Sequence, residues 1–211
     1  MKNISFQTIF VIILLVFSSG TVIKSGYDIG DKVRDFDLKN VDDQFVSMAG
    51  NPDNNGYILV FTCNTCPWAK GYEKRIIDLH HKYAEQGYPV IAIQPNDANL
   101  SKGDSFEEMQ KRAADKQYPF PYLLDETQEI ALAYGATKTP DIFLVEKEGD
   151  GYYLRYKGTI DDSPRDASTA NEKYVEQAVE ALLAGGKVET KTTKGIGCSI
   201  KWSASSKQKM N

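Results

Sequence analysis

Two cysteines two residues apart are the part of this sequence whose types and spacing point most directly to chemistry. Cys63 and Cys66 occur in the stretch TCNTCPW, directly after the apolar, β-rich residues 57–62. A cysteine between a strand end and a helix start lies where helix N–H groups converge, which favours the thiolate. We therefore predict Cys63 to be the nucleophile of a thiol–disulfide exchange and the more solvent-facing thiol. Cys66, one turn later, would resolve the mixed disulfide.

The third cysteine, Cys198, lies in residues 188–202, an extended segment with two glycines and apolar side chains for docking. One hypothesis is that this segment folds back and makes Cys198 a third redox thiol beside the pair. The other is a buried, inert thiol, because free cysteine packs like a small hydrophobe. We prefer the second interpretation.

Metal binding is the main competitor for the paired cysteines. A zinc site needs a second pair of ligands at suitable spacing. His80 and His81 lie ~14–15 residues along the predicted helix, which at 1.5 Å per residue is roughly 21 Å away. We therefore predict no metal site. A redox-silent module that binds Cu(I) through the two thiols remains the non-enzymatic alternative.

The first 24 residues differ in character from the rest of the chain. A short basic start precedes the unbroken apolar run 9–17, and small residues follow at 18–20. This order is typical of a secretory signal, and the run is shorter than the ~20 residues that span a bilayer. We predict that residues 1–24 are a signal peptide, with an uncleaved anchor as the alternative. The body would then be exported, to the periplasm or another extracytoplasmic space.

Composition narrows the class of protein. The 211 residues are 41% hydrophobic and 26% charged, with a formal net charge of −4, which indicates a globular chain. No basic stripe exists to follow a phosphate backbone, so nucleic acid is excluded as an expected partner. Three cysteines are too few for a disulfide-stapled scaffold, so a reversible bridge explains a close pair better.

The pattern of apolar residues predicts the elements that hold the cysteines. We expect an entry segment with a hairpin around 36–46, and polar, frayed residues at 203–211. Between them, the predicted strands are 57–62, 89–94, 142–145 and 152–156, with a short extended piece at 121–124, and the predicted helices are 67–86, 105–116, 125–135 and 174–182. Two βα units followed by a ββα unit give a mixed sheet with helices on both faces. Residues 25–186 would form one domain and 187–211 an extended C-terminal segment.

Several segments together resemble the thioredoxin superfamily, and specifically its redoxin or peroxiredoxin-like (AhpC/TSA-like) branch. They are GDKVRDFDL from Gly30, CNTCPWAKGYEKR from Cys63, PNDANLSKGDSFEEM from Pro95, DETQEIALAYGATKTPDIFL from Asp125, YKGTIDDS from Tyr156 and KGIGCSIKW from Lys194. The resemblance covers residues 26–202. It implies a thioredoxin-like α/β fold and an oxidoreductase whose only cofactor is its own redox-active disulfide.

The resemblance also implies further site residues. In that fold a Thr-Pro before the third core strand has a cis peptide bond beside the thiols, which Thr139 and Pro140 would supply; an ordinary strand-start proline is the alternative. The ammonium of Lys138 could favour the Cys63 thiolate, or simply be solvated. Trp68 and Tyr72 could form a platform for substrates, although their spacing also fits a helix core.

Peroxiredoxins require the pattern Pro-x-x-x-Thr-x-x-Cys, which this chain lacks. For Cys63 the Pro and Thr positions hold Gly56 and Val60, and for Cys66 they hold Leu59 and Cys63. We therefore predict an exported thiol–disulfide oxidoreductase that acts on protein or small-molecule disulfides, with a membrane-bound or soluble thiol as electron donor. A peroxiredoxin-like thiol peroxidase with an antioxidant role is the alternative.

Overall fold

The computed structural model describes residues 26–210, so the predicted signal or anchor segment lies outside the described residues. Within this range the backbone forms ten strands. They are β1 (Lys32–Val33), β2 (Leu38–Asn40), β3 (Phe45–Val46), β4 (Gly56–Phe61), β5 (Val90–Gln94), β6 (Tyr122–Leu124), β7 (Lys138–Thr139), β8 (Asp141–Glu148), β9 (Gly151–Gly158) and β10 (Cys198–Ser199). Eight of them form one sheet, and β7 pairs separately with β10.

Five α-helices connect or cover these strands. They are α1 (Pro67–Tyr83), α2 (Phe106–Lys116), α3 (Glu129–Tyr134), α4 (Tyr174–Leu183) and α5 (Ala204–Lys209). Across residues 26–210, none of the helices combines the length and apolar character that crossing a bilayer requires.

The sheet has the order β1-β9-β8-β4-β5-β6-β2-β3. Its centre is parallel, because β4 pairs with β5 and β5 with β6 in the same direction, whereas β8 runs antiparallel to both of its neighbours, β4 and β9. The predicted mixed sheet is therefore confirmed, and so is the entry hairpin, which β2 and β3 form. In this topology the ends of β4, β5 and β6 and the start of β8 meet at one edge of the sheet.

The side chains of β4 alternate between the two faces of the sheet, and a hydrophobic core lies on each face. Ile58 and Val60 pack on the face covered by α1, α2 and α4, and Leu59 and Phe61 pack on the opposite face, which α3 covers. All four side chains are fully buried, as a strand covered on both faces requires. The helices thus lie on both faces of the sheet, as predicted.

The start of α1 follows from its sequence. Cys66 occupies the N-cap position with extended backbone angles, and Pro67 follows at the first helical position. Proline suits this position because its missing N–H is one that the helix would leave unpaired. The helix therefore begins directly after the second cysteine and ends, after a short 3-10 turn, at the left-handed Gly87.

Two predicted boundaries are wrong. The helix expected from Asp125 begins at Glu129, because Gln128 has a left-handed backbone (φ 61°). The Asp125 carboxylate nevertheless accepts hydrogen bonds from the N–H groups of the first helical turn. Within the segment expected to be frayed, residues 204–209 form α5, which Ser203 caps through its hydroxyl, and Ser206 is buried.

We predict that shortening a buried side chain of the central strand β8 destabilises the fold strongly. Leu144 is fully buried between β4 and β9, so Leu144→Ala should lower the free energy of unfolding by about 2–5 kcal/mol. Leu100→Ala is the matched control, because Leu100 is 58% exposed. Denaturant unfolding checks the prediction, and equal losses in the two variants would contradict this assignment of the core.

Candidate active site

The three cysteines lie together at the edge of the sheet where β4 ends and α1 begins. Cys63 is 4% exposed and Cys66 3% exposed, and both pack with Ala69. Trp68 and Cys198 pack against this group from outside. Both paired thiols are therefore buried to nearly the same extent, instead of Cys63 being the clearly more solvent-facing one.

Cys66 is disulfide-bonded to Cys198, with 6.0 Å between their Cα atoms and 132 residues of sequence separation. Cys63 is the free thiol of the cluster. Cys63 and Cys66 are thus not joined in this structure. Cys198 is thus neither fully buried nor a free thiol, and its segment folds back onto the pair as one hypothesis expected. A redox role of Cys198 stays a prediction.

A short β-ladder brings Cys198 to this place. Strand β10 pairs antiparallel with β7, and the register sets Cys198 opposite Thr139 and Ser199 opposite Lys138. Gly197 permits the approach, because a Cβ atom there would lie 2.7 Å from the carbonyl carbon of Thr139. The backbone of the C-terminal segment therefore lies directly on the residue that precedes Pro140.

The Thr139-Pro140 peptide bond is cis, as predicted, and Thr139 contacts two of the sulfurs. Its hydroxyl oxygen lies 3.1 Å from Cys63 Sγ, in hydrogen-bond contact. Its carbonyl oxygen lies 3.2 Å from Cys66 Sγ. A disulfide sulfur has no hydrogen to donate, so this second contact becomes a hydrogen bond only when Cys66 is reduced. A role of the loop in binding substrate stays a prediction.

A buried carboxylate holds the two residues between the paired cysteines. Asp104 is fully buried, and its Oδ1 accepts hydrogen bonds from the N–H groups of Asn64 (2.7 Å) and Thr65 (3.1 Å). Its Oδ2 accepts from the Thr65 hydroxyl, the Ser101 hydroxyl and the Asn96 amide. Five donors on one carboxylate fix the loop firmly, because each would be costly to leave unpaired in the interior.

The same network continues to the C-terminal segment. The side chain of Asn96 accepts a hydrogen bond from the N–H of Lys201 (2.8 Å), and Lys201 in turn accepts at its carbonyl from Asp97 and Gln128. Gln128 also accepts from the N–H of Ser203. Asn96 thus links the loop that carries Cys66 with the segment that carries Cys198. Sequence reasoning missed Asp104, Asn96 and Gln128.

Lys138 contacts the C-terminal segment. Its ammonium donates a hydrogen bond to the Gly195 carbonyl at 2.9 Å. An effect of this charge on Cys63 stays a prediction. Beside it, Asp141 begins β8 and accepts from the N–H of Thr137 (3.2 Å). Burial raises the pKa of Asp141 to about 6, although hydrogen bonds from backbone N–H groups oppose the shift.

The two aromatic candidates on α1 have different positions. Tyr72 is fully buried and its hydroxyl contacts that of Thr159 at 3.2 Å, so it belongs to the core. Trp68 is half-buried against the cysteines and stays a candidate for contact with substrate. His80 accepts from the N–H of Val90. Within residues 26–210, no three histidine, cysteine or acidic side chains are grouped so as to hold a metal ion.

Comparisons with known proteins bear on the fold and the family. A model of the AhpC/TSA family matches residues 29–152. A thiol-disulfide oxidoreductase ResA from Bacillus cereus is 27% identical over 153 residues, which cover 66% of this chain and 81% of that protein. The match to the family model includes Cys63 and Cys66 and ends before Cys198.

Solved structures show the same architecture. An uncharacterized conserved protein from Geobacillus kaustophilus is 36% identical, with a TM-score of 0.78 over 84% of this chain and 94% of that one. A putative thiol:disulfide interchange protein DsbE from Chlorobium tepidum is 21% identical, with a TM-score of 0.52 over 63% of this chain and 85% of that one, and shows the fold alone. The predicted thioredoxin-like fold is confirmed.

We predict that Gly197→Ala weakens the Cys66–Cys198 disulfide. The added methyl group meets the Thr139 backbone, so the segment must shift, at a cost of about 1–3 kcal/mol. In a glutathione redox buffer, the ratio of disulfide to dithiol should fall about fivefold or more, as mass spectrometry after alkylation would measure. Gly195→Ala is the matched control, because its Cβ would lie no closer than 3.6 Å to Asp141. An equal effect in both variants would contradict the close approach at Gly197.

We predict a pH-dependent loss of stability from Asp141. Its pKa is raised from 3.8 to about 6 by burial, so between about pH 4 and pH 6 the folded chain binds more protons there than the unfolded chain. The free energy of unfolding should therefore fall as pH rises through this window. Asp141→Asn should remove that part of the slope, on the order of 2 kcal/mol, in denaturant unfolding at a series of pH values.

The control for this experiment is Asp53→Asn, a substitution of an exposed carboxylate. A wild-type slope that persists in Asp141→Asn would assign the pH dependence to other groups. Asp125 is one such group, because burial raises its pKa to about 6 as well.

Proposed function

We propose that this chain, which belongs to the AhpC/TSA family and is an oxidoreductase as predicted, is a thiol–disulfide oxidoreductase rather than a peroxidase. The observation that carries the proposal is one free thiol, Cys63, beside a disulfide, Cys66–Cys198, in a single cluster of which only Cys198 is partly exposed. The Bacillus cereus relative supports it, because that protein is named a thiol-disulfide oxidoreductase.

The chemistry needs only the three sulfurs. A thiolate attacks one sulfur of a disulfide, forms a mixed disulfide and releases the other sulfur as a thiolate. The substrates would be protein or small-molecule disulfides and thiols. Cys66 belongs both to the pair with Cys63, which is close in sequence, and to the disulfide with Cys198, which the fold brings close. It should therefore be needed in every cycle.

The surroundings of Cys63 favour this chemistry over peroxide reduction. The positions where peroxiredoxins carry the proline and threonine are Gly56 and Val60, both inside the buried strand β4. One feature keeps the peroxidase alternative open, since the Thr139 hydroxyl lies 3.1 Å from Cys63 Sγ and could contact a peroxide. The guanidinium of Arg75, on the same helix as Trp68, is held by the buried Asp161.

We also propose that the protein is exported and works in an oxidising compartment. The support is the signal-like order of residues 1–24 and the rarity of lasting disulfides in reducing compartments. A reductase there needs an electron donor, so a membrane-bound or soluble dithiol would return the disulfide to thiols.

We predict that Cys66→Ser loses disulfide reduction by about a hundredfold or more, because the partner of either internal disulfide is gone. The full chain, its three Cys→Ser variants and Ser199→Ala would be assayed in parallel on insulin with dithiothreitol, and on hydrogen peroxide with a thiol donor. Ser199 is the matched control, an exposed residue of β10 next to Cys198. If Cys66→Ser reduced insulin at the wild-type rate, the proposal would be wrong. If the wild-type chain reduced hydrogen peroxide faster than insulin, the peroxidase alternative would be favoured.

A further inference from the structure

Two exposed lysines lie on the segments that hold the loop between the paired cysteines. Lys70 is in α1, and its N–H donates a hydrogen bond to the carbonyl of Cys66 at 3.0 Å. Lys102 follows Ser101, whose hydroxyl lies 3.3 Å from the hydroxyl of Thr65. Each ammonium is therefore carried by backbone that lies next to the cysteine cluster, one on the helix and one on the loop of residues 95–105.

The C-terminal segment carries two more exposed lysines, one on each side of Cys198. Lys194 precedes Gly195, whose carbonyl accepts a hydrogen bond from Lys138. Lys201 follows Cys198 by three residues. We call these four exposed residues the rim lysines: Lys70, Lys102, Lys194 and Lys201.

The rim lysines have no acidic partner within residues 26–210. None of their ammonium groups forms an ion pair or a hydrogen bond there, whereas lysines on other surfaces are paired, as Lys74 is with Asp78 and Lys82 with Glu180. The first turn of α1 also contains no acidic residue. Because a helix N-terminus has a partial positive charge, this end of α1 adds to the field of the lysines.

The carboxylates of the same region are bound, buried or grouped elsewhere. Glu73 on α1 is paired with Arg112, and Asp104 and Asp141 are buried. The other acidic side chains line a separate cavity beside α5: Asp97, Glu107, Glu126 and Glu129. The formal net charge of the whole chain is −4, so the positive charge around the cysteines is a local feature and not a general property of the surface.

Unpaired positive charge around a reactive site selects among partners by their charge. It attracts anionic partners and raises their rate of encounter, and it repels cationic ones. The rim lysines lie on three separate segments of the chain. Several carboxylates spread along an extended polypeptide can meet them together, which a single carboxylate of a small molecule cannot do.

We infer that the disulfides on which this site acts are those of polypeptides with acidic side chains beside the cysteines, an inference that rests on the proposed function and names its substrate class. In the exchange, two cysteines of the reduced chain form one disulfide, the S–S bond of the substrate breaks, and two electrons and two protons convert its sulfurs to thiols. The rim lysines take no part in these bond changes. They act on association, so their effect belongs in kcat/KM and is screened by salt.

Three peptide disulfides of equal length test the inference. Each is a dimer of one cysteine peptide, with the cysteine flanked by glutamates, by glutamines or by lysines. The reduced full chain would be mixed with each peptide, and the release of peptide thiol measured. Each rate would be divided by the rate at which dithiothreitol, an uncharged dithiol, reduces the same peptide, because flanking charges also change the leaving thiol.

We expect the glutamate-flanked peptide to react about tenfold faster or more than the lysine-flanked one at low salt. The ratio should fall towards one between about 0.01 M and 1 M ionic strength, because the Debye length shrinks from about 30 Å to about 3 Å. The glutamine-flanked peptide should lie between the two and change little with salt.

A matched pair of double variants assigns the preference to the rim. Lys70→Gln/Lys102→Gln should lower the ratio about threefold or more, with little change for the glutamine-flanked peptide. Lys32→Gln/Lys187→Gln removes the same charge near the far end of β8 and should keep the wild-type ratio. Since β8 has 8 residues and begins beside the cluster, that end lies roughly 20 Å away.

The outcomes separate the inference from the proposed function. A wild-type ratio near one at low salt, a preference for the lysine-flanked peptide, or an equal fall in both double variants would overturn the inference and leave the proposed function standing. If the wild-type chain reduced none of the three peptides, both would be overturned.

Discussion

The site depends on the antiparallel pairing of β10 with β7. Two residues of the C-terminal segment, Cys198 and Ser199, pair with Lys138 and Thr139, and this ladder is the reason that a distant cysteine reaches the start of α1. The strand β7 is itself fixed by the cis bond to Pro140 and by the entry into β8. The cluster is therefore assembled from three parts of the chain rather than from one motif.

Polar interactions in the interior make that assembly precise. The carboxylate of Asp104 binds the loop between the paired cysteines, and Asn96 carries the network on to Lys201. Within the described residues no buried side-chain nitrogen or oxygen lacks a partner. Satisfied networks of this kind specify one arrangement, because any displacement leaves a buried group unpaired. The separation of Cys66 and Cys198 is thus set by hydrogen bonds as well as by packing.

The sequence predicts most of the framework. Apolar runs locate the central strands, and Pro67 and Gly87 mark the ends of the first helix, because these signals are local. The partner of Cys66 is not readable in this way, since 132 residues separate it from Cys198. Asp104 looks like an ordinary polar residue before a helix, and only the fold shows that five donors converge on it. Local patterns also do not show that Cys63 contacts Thr139, which lies 76 residues further along the chain.

The position of the disulfide also ties the oxidation state to the stability of the fold. A bond between Cys66 and Cys198 closes a loop of 132 residues, which on the chain-entropy model disfavours the unfolded state by about 5 kcal/mol. A bond between Cys63 and Cys66 closes a loop of only a few residues before α1 and constrains the unfolded chain far less. The two isomers hold the same number of electrons, yet only one of them joins the start of α1 to the C-terminal segment. Folding itself therefore biases where the oxidising equivalent resides, and a partly unfolded chain would lose that bias.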